Sequence, residues 1–563
     1  MASEIFEAYF QKQLELNPIY ASAIGDDRYD DRFAVTIAPE WRAEALAVDK
    51  DFLARIQRVN ESLLDGQDLL SYQIFVRDLE SSIESTRYPA HLIPLNQFYS
   101  TPNFFAQLGS GQSLHPFKSV KNYEDFLKRV DGFVQWVDQA IVNMNEGIEK
   151  GYAQPKILIE RVVPQLEAHI VDDAKDSLFW KPIDNFPEDF SIEDKARLTE
   201  AYRAAITNRI VPAYEKLHAY VIDTYLPASR ETHGMSALPD GEAWYAFLVK
   251  ETTTTDLTPT EIHQIGLDEV KRIHDEMRTV MRETGFDGTL HEFFEFMNTD
   301  PRFIAKSQDE LLAGYHAMKD RIAPRLPDLF DVMPKADYEV RPVEPFREKS
   351  ASGASYMRGT PDGSRPGVFY VNTYDLSARP KWATESLSLH EAAPGHHFQL
   401  SIQQELEGLP AFRRFGGYTA FTEGWGLYAE TLGKELGVYT DPYQYFGKLN
   451  AELWRAVRLV VDTGLHYKGW TREQVLDFMY ENSAVREARA VSEAERYMAI
   501  PSQALAYKIG QLRISSLRAK SEKALGEKFD ISEFHNQVLL DGALPLSVLE
   551  NKIDRWIERK LAE

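Results

Sequence analysis

Three histidines and a glutamate lie within eight consecutive residues of this 563-residue chain. His390 is followed directly by Glu391, and the pair His396 and His397 comes after a Pro-Gly dipeptide. Neutral imidazoles hold zinc, and a carboxylate beside them takes a proton from zinc-activated water. The residue types therefore predict a hydrolytic Zn²⁺ site in this segment.

The spacing of these histidines does not fit a regular helix. A ligand four positions after His390 would share its face, but that position is Pro394. His396 is turned away from the face, and His397 returns to it about 10 Å further along the axis. Zinc–nitrogen bonds are only about 2.0–2.1 Å long, so neither histidine can share an ion with His390 in an undistorted helix. The alternative is a helix that ends at Pro-Gly with ordinary histidines beyond it, and the spacing alone favours neither interpretation.

Pro394 and Gly395 offer a way to bring a late histidine back. Proline lacks an amide hydrogen and clashes with the preceding turn, whereas glycine accepts unusual backbone dihedrals. We predict that residues 392–395 loop out and that His396 becomes the second ligand, with His397 as the alternative. Bulges within helices often occur at functional sites.

The third ligand must come from another element. Glu423 and Glu430 are seven positions apart, and so lie on one face of a predicted helix. Glu423 has apolar and aromatic neighbours, where an unpaired carboxylate is costly. It is therefore a candidate ligand, although a lone glutamate more commonly faces solvent. A second pair, His291 and Glu292, has no further histidine at ligand spacing and is predicted to be structural.

Helical periodicity dominates the rest of the chain. Apolar residues at steps of three or four predict a long helix from Tyr123 to Ile148, capped by Asn122. Thr258 begins a capping box with Pro259 at the first helical position, and Ser307 repeats the signal. These apolar stripes are predicted to face the core.

Strand signals are few, and the clearest is the β-branched and aromatic run from Gly367 to Tyr374. The strand around Val368 to Asn372 is expected either to pair with an extended peptide or to belong to a core hairpin. The chain is predicted to be mainly α with a small sheet in its second half. We divide it into an N-terminal helical region, residues 1–250, and a catalytic region, residues 251–563.

Composition limits the partners of this chain. Its net charge of −24 repels phosphate backbones and anionic membranes, so we expect neither nucleic acid nor membrane as a partner. There is no cysteine, which leaves His, Asp and Glu as metal ligands. The sequence shows no signal peptide and no membrane span. We expect a cytoplasmic protein, or an extracytoplasmic one if a leader sequence has been removed.

The motif from His390 to His397 resembles the hallmark of the bacterial domain-of-unknown-function family 885. Further segments carry the same resemblance along nearly the whole chain. They are Gly25–Asp30, Ala237–Tyr245, Pro366–Tyr374, Thr422–Trp425, Arg496–Tyr497 and Pro501–Gly510.

That family is in turn similar to the helical gluzincin metallopeptidases. The resemblance implies a large, mainly α-helical body with a deep central cleft, a small β-sheet lining it and zinc at its floor. Carried over, the metal ligands are His390, His396 and Glu423, and the general base is Glu391. Position 427, where gluzincins often carry an orienting acid, is leucine. Glu430 is the candidate for that supporting role.

The resemblance also implies donors for the oxyanion far downstream of the zinc motif. Arg496, Tyr497 and Tyr507 are the candidates, and the alternative is a buried tyrosine or an ion-paired arginine. The expected activity is zinc-dependent hydrolysis of peptide bonds in short peptides. Other possibilities are a zinc amidase for a non-peptide amide and a non-catalytic helical binding protein.

Overall fold

The structure of the chain is a computed structural model that describes residues 2–345, 348 and 351–563. The described residues are mainly helical with one small sheet, as the sequence predicts. Contacts divide the chain into two compact units. The first comprises Met1–Leu64, Phe75–Trp244 and Met498–Ile500, and the second comprises Asp65–Ile74, Tyr245–Tyr497 and Pro501–Glu563. Among the described residues, no helix combines the length and apolar character needed to cross a bilayer.

The helices in the first part of the chain are interspersed with short 3₁₀ and π segments. They are α1 (Ala2–Leu16), α2 (Pro18–Ala23), α3 (Pro39–Ile56), α4 (Gly66–Ser85), α5 (Thr101–Gly109), α6 (Val120–Lys150), α7 (Lys156–Glu167), α8 (Lys181–Asp184), α9 (Ile192–Ala205), α10 (Val211–Tyr220), α11 (Leu226–Ala228) and α12 (Gly241–Thr253).

The helices in the second part of the chain include those that carry the predicted metal motif. They are α13 (Pro259–Glu283), α14 (Leu290–Thr299), α15 (Gln308–Ile322), α16 (Thr384–Glu391), α17 (His396–Glu405), α18 (Ala411–Arg414), α19 (Thr419–Thr431), α20 (Pro442–His466), α21 (Arg472–Asn482), α22 (Glu487–Ala499), α23 (Ala506–Leu525), α24 (Ile531–Leu539) and α25 (Leu546–Ala562).

Helix α6 runs through the core of the first unit, and its apolar stripe is buried as predicted. Its N-cap is Ser119, which corrects the prediction of Asn122. The Ser119 hydroxyl accepts a hydrogen bond from the Asn122 amide, and the Asn122 side chain accepts one from the Ser119 amide. Asn122 therefore closes a capping box from inside the helix, a role more often taken by Glu or Gln.

Capping boxes also begin α13 and α14 in the second unit. Thr258 and Glu261 exchange such hydrogen bonds at the start of α13, as predicted. Thr289 and Glu292 do the same at the start of α14. The carboxylate of Glu292 is thus used as a cap, in agreement with a structural role for that His-Glu pair.

The sheet belongs to the second unit and has three strands, β1 (Tyr338–Pro342), β2 (Ala354–Met357) and β3 (Gly367–Val371). Their order is β1-β3-β2, with β3 parallel to β1 and antiparallel to β2. Every residue of β3 is buried, and both of its edges are hydrogen-bonded to neighbouring strands. A peptide therefore cannot add to β3, and the core-strand interpretation of this segment is the correct one.

Close packing against α23 fixes the position of α19, the helix that carries Glu423. Gly424 and Gly510 make this approach possible, since a Cβ atom on Gly424 would lie 2.5 Å from the Gly510 Cα. Phe421 and Trp425 are fully buried on α19 and tie it to the core of the second unit. The helices that position the predicted ligands thus belong to one packed body.

Candidate metal centre

The chain leaves the helical path between α16 and α17, in the segment predicted to loop out. The amide of Ala392 still donates to the Ser388 carbonyl at 3.0 Å, and α17 begins four residues later at His396. A Cβ atom on Gly395 would collide with the carbonyls of Leu389 and His390. Glycine is therefore required for the chain to pass so close to the end of α16.

A buried tryptophan anchors the loop between the two histidines. The Trp425 indole N–H donates to the Pro394 carbonyl at 2.8 Å, and its ring is fully buried in α19. This hydrogen bond joins the loop to the helix that carries Glu423. The loop that precedes His396 and the helix that carries Glu423 are thereby held in a fixed relative position.

Three predicted ligands converge at this point. The Nε2 atoms of His390 and His396 each lie 3.5 Å from the Oε2 atom of Glu423. The two imidazole rings are 4.7 Å apart and nearly perpendicular, at 84°. Their ligand atoms all lie within 4.8 Å of one another. Ligands that bond one zinc ion at about 2.0–2.2 Å stand at comparable separations, so this donor set fits the metal.

Gly426 leaves room for the two imidazoles. A Cβ atom at this position would lie 2.9 Å from Cε1 of His390 and 3.1 Å from Cε1 of His396. Any larger residue would press on both rings. No sequence motif pointed to this glycine, although it lies three positions after Glu423 and thus on the same face of α19.

Glu430 orients the first histidine. Its carboxylate lies 2.8 Å from Nδ1 of His390 and also accepts a hydrogen bond from the Ser386 hydroxyl. The Tyr439 hydroxyl donates to the Glu430 backbone carbonyl at 2.9 Å. A carboxylate on Nδ1 directs the lone pair of Nε2 toward a metal. The seven-residue spacing pointed to Glu430, and Ser386 could have been found four positions before His390.

Negative charge accumulates at this cluster. Burial lowers the pKa of His390, but hydrogen bonds with Glu423 and Glu430 outweigh it and raise that pKa to about 9. Burial raises the pKa of Glu423, yet the bonds from His390 and His396 hold it well below its usual range. Nδ1 of His396 is buried without a hydrogen-bond partner in the described residues. Two carboxylates around two imidazoles favour a bound cation.

His397, the alternative second ligand, lies outside this cluster. Its Nδ1 atom is 2.7 Å from the Tyr356 hydroxyl, and its ring packs 4.9 Å from Tyr338 of β1. Burial lowers its pKa to about 4, so the ring is neutral. The structure therefore brings His396, and not His397, to His390 and Glu423.

Glu391 is the last residue of α16 and follows the first histidine directly. Its side chain is half-buried, and it forms no hydrogen bond or ion pair with the described residues. Its negative charge contributes to raising the pKa of Tyr315, after the larger effect of burial. A carboxylate free of partners beside a metal ligand is available to exchange protons.

Arg496 and Tyr497 lie in an ion-paired network, one of the alternatives weighed for them. The Tyr497 hydroxyl donates to Glu493 at 2.6 Å and accepts from Arg458 at 3.0 Å. Arg496 donates to the same glutamate at 2.9 Å and to Gln503 at 2.7 Å. Neither side chain belongs to the converging set.

Tyr507 is half-buried on α23, three positions before Gly510, which packs on α19. The guanidinium of Arg458 lies 4.9 Å from its ring, and that of Arg455 lies 5.8 Å from it. The charge of Arg455 also acts on His390, where it lowers the pKa against the stronger effect of the two carboxylates. Of the three predicted donors, Tyr507 therefore has the most direct links to the metal cluster.

Fold and site together define a mainly helical protein with a His-His-Glu cluster suited to a metal ion. The family model described as "Bacterial protein of unknown function (DUF885)" matches residues 18–553, and the chain belongs to this family. This agrees with the resemblance seen in the sequence.

Solved structures share the fold over the whole chain. A putative lipoprotein from Colwellia psychrerythraea is 29% identical, with a TM-score of 0.88 and 99% of each chain covered. A putative lipoprotein of unknown function from Shewanella oneidensis is 19% identical, with a TM-score of 0.79 and 98% of this chain and 99% of that chain covered. The second likeness shows the fold alone. No curated protein matches the sequence.

Proposed function

We propose that this protein is a zinc-dependent hydrolase of peptide bonds in short peptides. The observation that carries the proposal is the convergence of His390, His396 and Glu423 with an unpaired carboxylate at Glu391. A site that only stored or bound a metal would not need a free base next to its ligand. The resemblance to gluzincin metallopeptidases points to the same reaction.

His390, His396 and Glu423 would hold the ion, and Glu430 would keep the His390 ring in the ligating orientation. Zinc in such a site supplies Lewis acidity, which activates water and polarises a carbonyl. Glu391 takes the proton of the attacking water and delivers it to the departing amine. The Tyr507 hydroxyl, on the helix packed against α19, is the proposed donor to the developing oxyanion.

The same site chemistry would hydrolyse a non-peptide amide, so an amidase is the second candidate. The length of the preferred substrate distinguishes the peptidase from the amidase. A peptidase gains binding energy from contacts to residues on both sides of the scissile bond. The relative from Colwellia psychrerythraea is described as a putative lipoprotein. We accordingly propose an extracytoplasmic location, where imported or secreted peptides would be available.

Metal analysis combined with one substitution tests the proposal. We expect the purified protein to contain about one zinc per chain and to cleave members of a short-peptide library. Glu391→Gln should keep the zinc and lose activity by a factor on the order of 10²–10⁴. Glu407→Gln, an exposed glutamate in a loop, is the matched control and should keep both properties.

Each outcome has a clear meaning. A protein that binds no zinc after reconstitution would exclude both the peptidase and the amidase. Cleavage that survives Glu391→Gln would remove that residue from its proposed role. Zinc binding with cleavage of N-acyl amides and no cleavage of peptides would favour the amidase.

A further inference from the structure

Four arginines form a cluster in the second unit, beside the metal centre. Arg455 and Arg458 project from α20, and Arg489 and Arg496 from α22. Glu493 is the carboxylate that pairs with two of them, at 2.9 Å from both Arg458 and Arg496. We call these four side chains the arginine cluster. It is a concentration of positive charge in a chain whose net charge is −24.

Two members of the arginine cluster are left without an acidic partner. Arg455 donates from one terminal nitrogen to the Ala451 carbonyl, and its Nε atom is buried without a partner among the described residues. Arg489 is exposed, and its guanidinium lies 5.2 Å from the Trp454 ring. In the described part of the chain it forms no side-chain hydrogen bond or ion pair. Desolvation lowers the pKa of Arg489, the nearby carboxylate of Glu493 raises it, and the charges of Arg458 and Arg455 lower it further.

A third unpaired donor is the indole N–H of Trp454, which precedes Arg455 on α20 and contacts Arg489. Trp454 is only 6% exposed, and its indole N–H is buried without a hydrogen-bond partner among the described residues. Trp454 and Arg489 line a pocket of about 70 Å³ together with Ala451. Buried donors of this kind are usually satisfied, and each unsatisfied one calls for a ligand or a water. The pocket is large enough for a carboxylate group.

The arginine cluster borders the proposed reaction site. Helix α20 packs against α16, the helix that ends in His390 and Glu391. Tyr507 lies against both Arg455 and Arg458, and its helix packs on α19 next to Glu423. Arg455 is the member of the cluster whose charge acts on His390, so an anion held at Arg455 would lie within electrostatic reach of the metal centre.

We propose that Arg455 and Arg489, with the indole N–H of Trp454, bind a carboxylate of the substrate. Guanidinium groups bind carboxylates through paired, charge-assisted hydrogen bonds. A substrate carboxylate would give Arg455 and Arg489 the directly bonded acidic partner that neither has among the described residues. The proposal rests on the proposed function and narrows it to peptides with a free carboxylate near the scissile bond. That carboxylate is either the C-terminus of the peptide or an Asp or Glu side chain.

Arg458 and Arg496 have a different role in this arrangement. Both already share Glu493, and the Tyr497 hydroxyl completes their network. Because Glu493 already pairs with both, they are not assigned to the substrate carboxylate. A cluster that served stability alone would have no need for Arg455 and Arg489, because unpaired like charges oppose folding.

Calorimetry on the zinc-loaded Glu391→Gln protein separates this inference from the peptidase proposal, because it measures binding without turnover. The probes are trialanine with a free carboxylate, trialanine amide, and Ala-Asp-Ala amide. We expect trialanine to bind at least tenfold more tightly than its amide. Tight binding of Ala-Asp-Ala amide as well would identify the side-chain carboxylate as an accepted source. Weak binding of it would assign the site to the C-terminus.

Arg489→Gln in the same background should abolish the preference for the carboxylate, and Arg489→Lys should restore part of it. Arg486→Gln, an exposed arginine at the entry to α22, is the control and should leave the preference unchanged. Thermal unfolding of each variant checks that it is folded. Equal affinity for trialanine and its amide, or a preference that survives Arg489→Gln, overturns the inference even if peptides are cleaved. Failure of the wild-type protein to cleave any peptide counts against the proposed function instead.

Discussion

One imidazole ring joins two carboxylates of the same helix. Nδ1 of His390 lies 2.8 Å from Glu430, and Nε2 of the same ring lies 3.5 Å from Glu423, one face of α19 supplying both acids. When Nδ1 carries the proton, its N–H group donates a hydrogen bond to Glu430, and the lone pair of Nε2 is available to a metal. Glu423 would then be a ligand, while Glu430 holds the ligand in place.

Glu430→Gln should weaken zinc binding by about 10–100-fold, the usual cost of removing a carboxylate that orients a ligating histidine. The amide keeps the size of the side chain but loses the charge that favours the ligating tautomer. Competition with a chelator of known affinity gives the measurement. Glu407→Gln should bind zinc like the wild-type protein. Unchanged zinc affinity in Glu430→Gln would show that Glu430 does not support the metal.

Gly426→Ala should displace the imidazoles and abolish zinc binding, because its Cβ would approach Cε1 of both His390 and His396 within about 3.1 Å. Gly314→Ala on α15 is the matched control, since its Cβ would meet Thr384 at an ordinary contact distance of 3.5 Å. There the alanine should raise stability by about 0.5–1 kcal/mol and leave zinc binding intact. Zinc content and urea unfolding measure both effects. A zinc-loaded Gly426→Ala protein would contradict the assigned geometry.

Local signals explain why parts of the fold could be predicted. The capping box at Thr258 and the apolar stripe of α6 depend on residues a few positions apart, which the sequence displays directly. The interruption at Pro394 and Gly395 was visible for the same reason. The N-cap of α6 was misplaced because Ser119 and Asn122 are both good capping residues, and only the backbone shows which one lies outside the helix.

Contacts between distant segments account for what the sequence could not show. Whether His396 or His397 reaches the metal cluster depends on the backbone dihedrals of the four-residue loop before them. A different loop conformation would bring the other ring to the cluster. The central place of β3 depends on pairing with strands that come before it in the chain. The unpaired state of Arg455 and Arg489 follows from the packing of α20 and α22, which no local pattern indicates.

Gly510→Ala should lower the free energy of unfolding by about 1–3 kcal/mol or more, the usual cost of overpacking. Its Cβ would collide with the Ala420 carbonyl and come within 2.6 Å of the Gly424 Cα, so α19 and α23 would have to separate. Because α19 carries Glu423, zinc affinity should fall together with stability. Urea unfolding and chelator competition measure the two quantities. A variant with wild-type stability would show that the two helices can separate at no cost.

His535 should make the protein less stable in acid. Its ring stacks 4.5 Å from Phe330, Nδ1 lies 2.8 Å from the Leu329 carbonyl, and Nε2 lies 3.0 Å from the Tyr428 hydroxyl. In this arrangement the neutral ring donates to the carbonyl and accepts from the tyrosine. Burial lowers its pKa to about 3, whereas an unfolded histidine titrates near its model value of 6.5.

Between these two pKa values the unfolded chain binds a proton at His535 that the folded chain does not bind. The free energy of unfolding therefore falls as the pH drops below about 6.5. For this histidine the loss is up to 1.36 kcal/mol per pH unit. Above that pH its contribution is fully present. Urea unfolding of metal-free protein at pH 7.5 and 5.5 should show a smaller acid loss in His535→Gln than in the wild-type chain, whatever the absolute stability of the variant. His316→Gln, at an exposed position, should lose as much as the wild type. An acid loss in His535→Gln as large as that of the wild type would mean that His535 is already protonated in the folded protein.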